Sequence, residues 1–333
     1  MRLLDKICAT IVNLQKSGEF MKIKRFNKEN DYERIINFLT EQYKTNKNMV
    51  CWLPQRFDDL IFRIDTLYHD ERGLEKSQDY IYIFEDNEKI VGLILPDGDS
   101  FNSCIKKGYE STFSQMLDLS EKELQPLFER DENCEINFLV VSHDSLEYQA
   151  EELKRRGYTR DEAGDYDNVA KPLETNYEIN LPAGFKQVYG YDYPDRVKMR
   201  ACHYGFHPED DDGNLYKEYA EGKKSYQTRK QSRYFPDSFE SLIVTDDGDI
   251  CAYSFCYIDK ETSTAFIEPV STREKYRGRG LCKAMMHGII NKCKEMGIES
   301  SYVNSYDWRK KVYNSAGFET EDSIGFWHKK IKW

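Results

Sequence analysis

The 333-residue sequence has no apolar run approaching the roughly 18 to 20 residues that a membrane-spanning helix needs. It also lacks a positive excess: 48 Lys and Arg stand against 59 Asp and Glu, a net charge of −11. Binding to nucleic acid without sequence preference rests on neutralising phosphates with Lys and Arg, so a nucleic-acid partner is excluded, and an anionic membrane surface is disfavoured for the same reason. No CxxC pair is present to hold zinc or run redox chemistry. What remains is an ordinary folding composition, with 39% hydrophobic and 14% aromatic residues, which argues against wholesale disorder. The length suggests about two domains.

Nine cysteines are an odd number in a long chain, and Cys251, Cys256, Cys282 and Cys293 fall in apolar segments, so they read as buried thiols. Residues 1–20 make a poor signal peptide, because Thr10 and Asn13 interrupt the uncharged stretch and no small-residue cleavage site follows. Leu3, Leu4, Ile7, Ile11 and Leu14 recur at helical spacing, which suggests an amphipathic leader helix; a true start at Met21, which opens the strand-like KIKRF, is the alternative. The cytoplasm is the expected location.

The halves resemble one another. YIYIFEDNEKIVGLIL and SLIVTDDGDICAYSFCY each read as strand, acidic turn, strand, with Ile90 and Ile250 offset by 160. Gly157 and Gly317 repeat that offset, and Asp31-Tyr32 and Asp192-Tyr193 open helical stretches 161 apart. Three matches in order favour duplication. The expected organisation is a leader or mis-assigned start at 1–20, a first domain at 21–172 and a second at 173–333, joined near Lys171-Pro172-Leu173.

In the second half the pattern predicts a strand at Tyr177–Ile179 and a helix around Pro194–Cys202. A polar helical stretch from Asn214 to Arg229 and three antiparallel strands over 240–272 follow. A helix from Leu281 to Met296 ends at Gly297, and a strand at Ser301–Asn304, a short helix ending at Gly317 and a last strand near 323–330 complete the unit. The fold class is α+β with a mostly antiparallel sheet.

The segment TAFIEPVSTREKYRGRGLCKAMM runs from a strand through a turn rich in glycine and arginine directly into a helix. Such a junction suits an anion: glycines let the backbone approach, successive N–H groups converge, and the helix N-terminus adds about half a positive charge. Arg277 and Arg279 add cations suited to phosphate. The turn is neither a Walker loop nor a dinucleotide fingerprint. A basic surface turn that merely caps a helix is the competing reading of these four residues.

Together these residues resemble the GCN5-related N-acetyltransferase (GNAT) family. Its Arg/Gln-x-x-Gly-x-Gly/Ala signature reads here as Arg277-Gly278-Arg279-Gly280-Leu281-Cys282, with cysteine in the last place, and Val312-Tyr313-Asn314-Ser315-Ala316-Gly317-Phe318 resembles the family's Tyr-x-x-x-Gly-Phe. The resemblance spans about 175–333. It implies two tandem acyl-CoA N-acyltransferase folds, each a mixed, mostly antiparallel sheet flanked by helices, and transfer of the acetyl group of acetyl-CoA to a small-molecule or peptide amine within a ternary complex. By the same resemblance, backbone amides around Arg279, Gly280, Leu281 and Cys282 cradle the pyrophosphate, and the edge of Val270, Ser271 and Thr272 pairs with the pantetheine arm. Tyr313 is the implied acid for the departing thiolate, Asn304 an implied contact to the cofactor amide, and Glu268 a candidate base, each with a structural role as the alternative. The alternative function is a non-catalytic acyl-CoA sensor or partner-binding module.

Weaker features are the acidic loop Glu209–Asp212, a possible attractor of a cationic amine; His203 and His207, four apart; and the aromatic and basic stretch Tyr216–Tyr234, a candidate lining of the acceptor side. In the first half, subtracting 160 from the loop gives Leu117–Lys122, without glycine or arginine, where Ser120 and Glu123 suggest a capping box. The counterpart of Tyr313 is Leu153. The first half therefore reads as a degenerate copy that lost its cofactor site.

Overall fold

The structure is a computed structural model and describes residues 12–16, 19–67, 77–97, 100–171, 176–217 and 226–332. The chain forms two compact units, which chain order alone does not separate. Unit one takes its described residues from Met1–Pro54, Tyr68–Gly164 and Ser323–Trp333; unit two takes them from Gln55–Leu67 and Asp165–Asp322.

Unit one begins with β1 (Val12–Lys16), β2 (Glu19–Arg25) and α1 (Lys28–Asn46). The Asn27 side chain caps α1 by accepting the Asn30 N–H, and Ile35, Ile36, Leu39 and Tyr43 form its buried stripe. The next helix, α2 (Pro54–Leu67), belongs to unit two from Gln55 onward. Unit one resumes with β3 (Tyr82–Asp86), β4 (Lys89–Asp97), β5 (Ser100–Ile105), α3 (Phe113–Glu123), β6 (Glu135–His143) and α4 (Glu147–Arg155). Its sheet runs β1-β2-β3-β4-β5-β6, antiparallel except for the parallel β5–β6 pair. The last strand of this sheet comes from the far end of the chain: residues 324–332 pair antiparallel with β6, and Trp327 enters the unit-one core beside Phe138 and Tyr158.

Unit two mirrors this plan. Residues 165–170 of β7 (Thr159–Ala170) pair antiparallel with β12 (Ser300–Tyr306). Then come β8 (Phe185–Tyr189), α5 (Asp195–Phe206), β9 (Phe239–Thr245), β10 (Ile250–Asp259), β11 (Thr264–Thr272), α6 (Leu281–Glu295) and α7 (Lys310–Ser315). The final strand, β13 (Glu319–Lys332), leaves unit two at Asp322. In sheet order unit two reads β7-β12-β11-β10-β9-β8, with β11–β12 parallel and every other neighbour antiparallel. One face packs on α6 through Ile243, Cys256, Ile267, Val270, Met285 and Ile289.

Several expectations need correction. The join does not divide the chain into 21–172 and 173–333, because β7 continues as a paired strand to Ala170 and one helix and two strand ends are exchanged between the units. Pro172 and Leu173 lie outside the described residues. Residues 177–179 are not a strand; the first strand of the second half is β8, and the Tyr177 backbone is instead held by Asn291 of α6 at 2.8 Å in both directions. Leu14 lies in β1, not in a leader helix, and residues 1–11 are outside the described set. The polar helix expected over 214–229 is a turn at 215–216 and a helical turn at 226–229, with 218–225 outside the described residues. No described helix is long and apolar enough to cross a membrane. All described cysteines are free thiols.

Candidate active site

The sheet of unit two opens between β11 and β12. Their parallel pairing covers Thr264–Phe266 against Ser300–Tyr302 and then stops, so the backbone edge of β11 beyond Ile267 has no strand partner on that side. A bulge helps to turn β11 away. Ser254 faces Val270 while Cys256 faces Ile267, so Phe255 alone opposes Glu268 and Pro269.

At the end of β11 the chain enters the loop that leads into α6. Gly278 and Gly280 have φ values of 74° and 77°, and a Cβ added at either would meet nothing within 4 Å. Glycine is required there by backbone conformation rather than by space. Gly280 is the N-cap of α6 and offers no side chain to the helix, and no acid occupies the first turn. The first N–H groups of α6 are thus left for an external anion.

The arginines around this loop do different work. Arg277 donates from Nε to the Thr272 carbonyl at 3.0 Å and from Nη2 to the Gly205 carbonyl at 2.7 Å, which fixes the loop to β11 and α5 while its positive charge stays at the site. Arg279 donates to the Lys275 carbonyl and stacks over Phe185 and Tyr276. Arg273, with no exposed side-chain surface, anchors the loop from beneath. It donates to both Asp211 oxygens at 2.9 and 2.8 Å and to Asp249 at 2.6 Å. Burial opposes ionisation of Asp211 and Asp249, but hydrogen bonds, chiefly from Arg273 to Asp211 and from Tyr276 to Asp249, prevail and hold both carboxyls below the usual range.

A cavity of about 510 Å³ lies against this loop. Val270, Ser271, Thr272, Arg277, Gly278, Gly280, Leu281 and Cys282 line it from the β11–α6 side, and Tyr313 lines it from α7. Of the residues singled out from the sequence, Arg279, Glu268 and Asn304 are not part of the lining. Trp308, Arg309, Lys311 and Val312 are, and the sequence reasoning missed them. Their signal was the basic and aromatic run DWRKKV immediately before Tyr313.

Tyr313 is buried and packs edge-on against Phe318, with ring centroids 5.9 Å apart. Burial pushes its phenol well up, and the Cys282 thiol and Glu268 carboxylate add to that shift. The hydroxyl therefore keeps its proton at neutral pH. Cys282, also raised by burial to about 11, is an un-ionised thiol and a poor nucleophile. Asn304, on the β12 arm of the opening, donates to Asp167 and accepts from Arg56 at 3.4 Å, so its amide is held in place from both ends.

The weaker candidates resolve into structure. Asp211 is the partner of Arg273, Asp212 accepts from Tyr204 at 2.7 Å, and Asp210 pairs with His203. The loop Glu209–Asp212 therefore spends most of its charge internally. His203 and His207 stack at 4.5 Å and each faces a carboxylate; among the described residues no group of three or more metal-ligating side chains occurs. Of the stretch Tyr216–Tyr234, the described Tyr226, Arg229 and Tyr234 are buried against the sheet.

The corresponding loop of unit one is not at Leu117–Lys122, which lies inside α3 with Ser120 wholly buried. A constant offset fails because β4 and β5 are shorter than β10 and β11, so the offset has already grown before either loop begins. The true counterpart is 106–112, and it does contain a glycine, Gly108, at φ 93°. The Glu110 carboxylate accepts the Gly108 N–H at 2.9 Å, and these backbone N–H groups, Gly108 foremost, lower its pKa.

An α+β sheet splayed between two parallel strands, with an uncapped helix N-terminus at the mouth, defines an acyl-CoA-type transferase fold. Residues 208–318 match the profile of the acetyltransferase (GNAT) family. A GCN5-related N-acetyltransferase from Sphaerobacter thermophilus superimposes with a TM-score of 0.61 at 13% identity, over 94% of this chain and 96% of that one. A tandem GNAT protein from the clavulanic acid biosynthesis pathway, solved without AcCoA, gives 0.61 at 12% identity, over 93% and 98%. At such identity these likenesses carry the fold, a pair of tandem GNAT-like domains. No curated protein matches the chain in sequence.

Proposed function

We propose that unit two is an acetyl-CoA-dependent N-acetyltransferase with its acceptor bound in a ternary complex. The observation that carries this is one cavity with the uncapped α6 N-terminus on one wall and the protonated Tyr313 hydroxyl on the other. The N–H groups of Arg279, Gly280, Leu281 and Cys282 would hold the pyrophosphate, and the cations lining the cavity offset its charge. The unpaired edge at Val270, Ser271 and Thr272 would take the pantetheine arm as an added strand. Asn304 keeps a second amide N–H for a contact with the cofactor.

The acceptor nitrogen attacks the acetyl carbonyl carbon, and the thioester oxygen becomes an oxyanion that a β11 backbone N–H can stabilise. Collapse breaks the C–S bond, Tyr313 protonates the departing thiolate, and the nitrogen loses its proton to Glu268 or to a water bound there. Glu268 stands two positions before the cavity-lining Val270 on β11, which supports its working at the same site as Tyr313. Unit one, with Glu110 in its own loop, is read as the copy without a cofactor site. The test is turnover of acetyl-CoA across a panel of amines. Release of CoA that depends on an added amine supports the reading, and binding of acetyl-CoA with no acceptor-dependent release favours a sensor.

A further inference from the structure

Unit one has a cavity of its own, of about 580 Å³, between α4, the start of β7 and the end of β13 that returns to this unit. Its floor is aromatic: Trp327 and Tyr158 line it and are only 3% and 4% exposed. The Tyr158 hydroxyl is engaged, donating to Glu121 at 2.8 Å. Trp327 is not. Its indole N–H, which can only donate, has no hydrogen-bond partner among the described residues. A side chain this deeply buried normally has its donor met, so the unmet N–H calls for an acceptor inside the cavity.

The indole edge and the Arg160 side chain converge over Gly325. A Cβ there would stand 3.0 Å from Trp327 Nε1 and 2.6 Å from Arg160 Nε, so the absence of a side chain makes the room in which both donors sit. Arg160 is spent on the protein: it donates to both Asp144 oxygens at 3.1 and 2.7 Å and to the Asp161 carbonyl at 3.0 Å. With Asp144 and Arg160 cancelling each other, the charged lining that remains is Glu147 and Glu151, one turn apart on α4, and Lys154. Neither glutamate has an ion-pair or hydrogen-bond partner among the described residues. The Lys154 ammonium lies against the Trp327 ring, 5.9 Å from its centroid. The cavity therefore carries one more negative charge than positive, with free acceptors on α4 and an unmet donor on β13.

We infer that this cavity binds a small organic ammonium ion that also carries a neutral oxygen acceptor. The ammonium would meet Glu147 and Glu151, the apolar body would lie on Trp327 and Tyr158, and the oxygen would accept from the Trp327 N–H. Hydrogen bonds between an ammonium and carboxylates are of the stronger, charge-assisted kind, and an aromatic ring face beside them favours the same charge. A carboxylate in place of the neutral oxygen would restore the negative excess that the ammonium removes. The site does not depend on the proposed acetyl transfer, since it shares no residue with the unit-two cavity.

The test follows the Trp327 indole N–H by nuclear magnetic resonance in the full-length protein with isotopically labelled tryptophan, the signal being assigned by its loss in Trp327→Phe. The probes are phenylalaninamide and phenylalaninol, both cations with a neutral oxygen, and the uncharged N-acetylphenylalaninamide, each added to about 10 mM. The expected result is a saturable shift of that signal with both cations and binding of the uncharged analogue weaker by about tenfold or more. Replacing both free carboxylates, Glu147→Gln with Glu151→Gln, should weaken the cations by about fivefold. Both side chains are exposed, so the double variant keeps the fold. Calorimetric titration of wild type and double variant reads the same affinities should Trp327→Phe fail to fold. No saturable binding of either cation, an uncharged analogue that binds as tightly, or a double variant that binds as tightly as wild type would each overturn the inference.

Discussion

The Arg273 guanidinium and the Asp211 carboxylate form a two-point pair, 2.9 and 2.8 Å long, with Arg273 wholly buried. The loop that precedes α6 is therefore tied to the loop after α5 by a charge that has no alternative partner in water. Removing one partner of a buried pair typically costs about 3–5 kcal/mol, because the other is left buried and unmatched. Asp249 stays on Arg273 when Asp211 is neutralised, so Asp211→Asn should cost less than that range, about 1–2 kcal/mol in urea titration. The pH dependence follows the same pair. Asp211 and Asp249 have folded pKa values below their unfolded ones, so their contribution is complete above about pH 4 and is lost as pH falls through the lowered values. The wild-type melting temperature should drop steeply below pH 4, and that of Asp211→Asn should drop less.

How much of this was legible beforehand depends on distance along the chain. The β9–β10–β11 meander, α6 with its apolar period, and the Gly297 stop are local patterns, and the structure holds them nearly as read. Tyr313 and Gly280 were reachable because short-range motifs bring them to the cavity. Arg273, by contrast, looked like one more charge in TREKYRGRG, since its partners lie 62 and 24 residues away. The exchange of α2 and of the two strand ends was equally invisible, because a strand's partner is not encoded in its own alternation. The misplaced loop of unit one arose from carrying a constant offset across strands of different length.

The exchange makes its own prediction. Gln55 of α2 donates to the Thr264 hydroxyl at 2.8 Å, Asp59 receives Tyr257, and residues 165–170 complete the sheet beside β12. A fragment 173–333 lacks all three. It should be insoluble or lack fixed tertiary structure by near-ultraviolet circular dichroism, whereas the full chain melts cooperatively. A fragment that folds and binds acetyl-CoA would show these contacts to be dispensable.

Tyr313→Phe removes only the hydroxyl and leaves the ring against Phe318. If that hydroxyl is the acid, kcat should fall by about 10²-fold or more while acetyl-CoA affinity stays within about twofold. Because burial raises the phenol, the wild-type kcat should show no loss assignable to Tyr313 on the alkaline side up to about pH 10, the ordinary tyrosine value. An unchanged kcat in the variant would remove Tyr313 from the chemistry.

Glu110 offers a test of the asymmetry between the units. Its carboxylate meets the Gly108 N–H, so Glu110→Gln should leave acetyl-CoA stoichiometry at one per chain if the site in unit two is the working one. Calorimetric titration of wild type and variant reads that number directly. Two sites in the wild type would contradict the assignment of unit one.

The most direct measurement is the melting temperature with and without acetyl-CoA, for wild type and Gly280→Asp. At about a hundred times its dissociation constant, a ligand that binds only the folded protein stabilises it by about 2.7 kcal/mol. The account predicts a clear upward shift in wild type and none in Gly280→Asp, whose carboxylate would sit at the uncapped start of α6. No shift in wild type at near-millimolar ligand, or an equal shift in the variant, would contradict it.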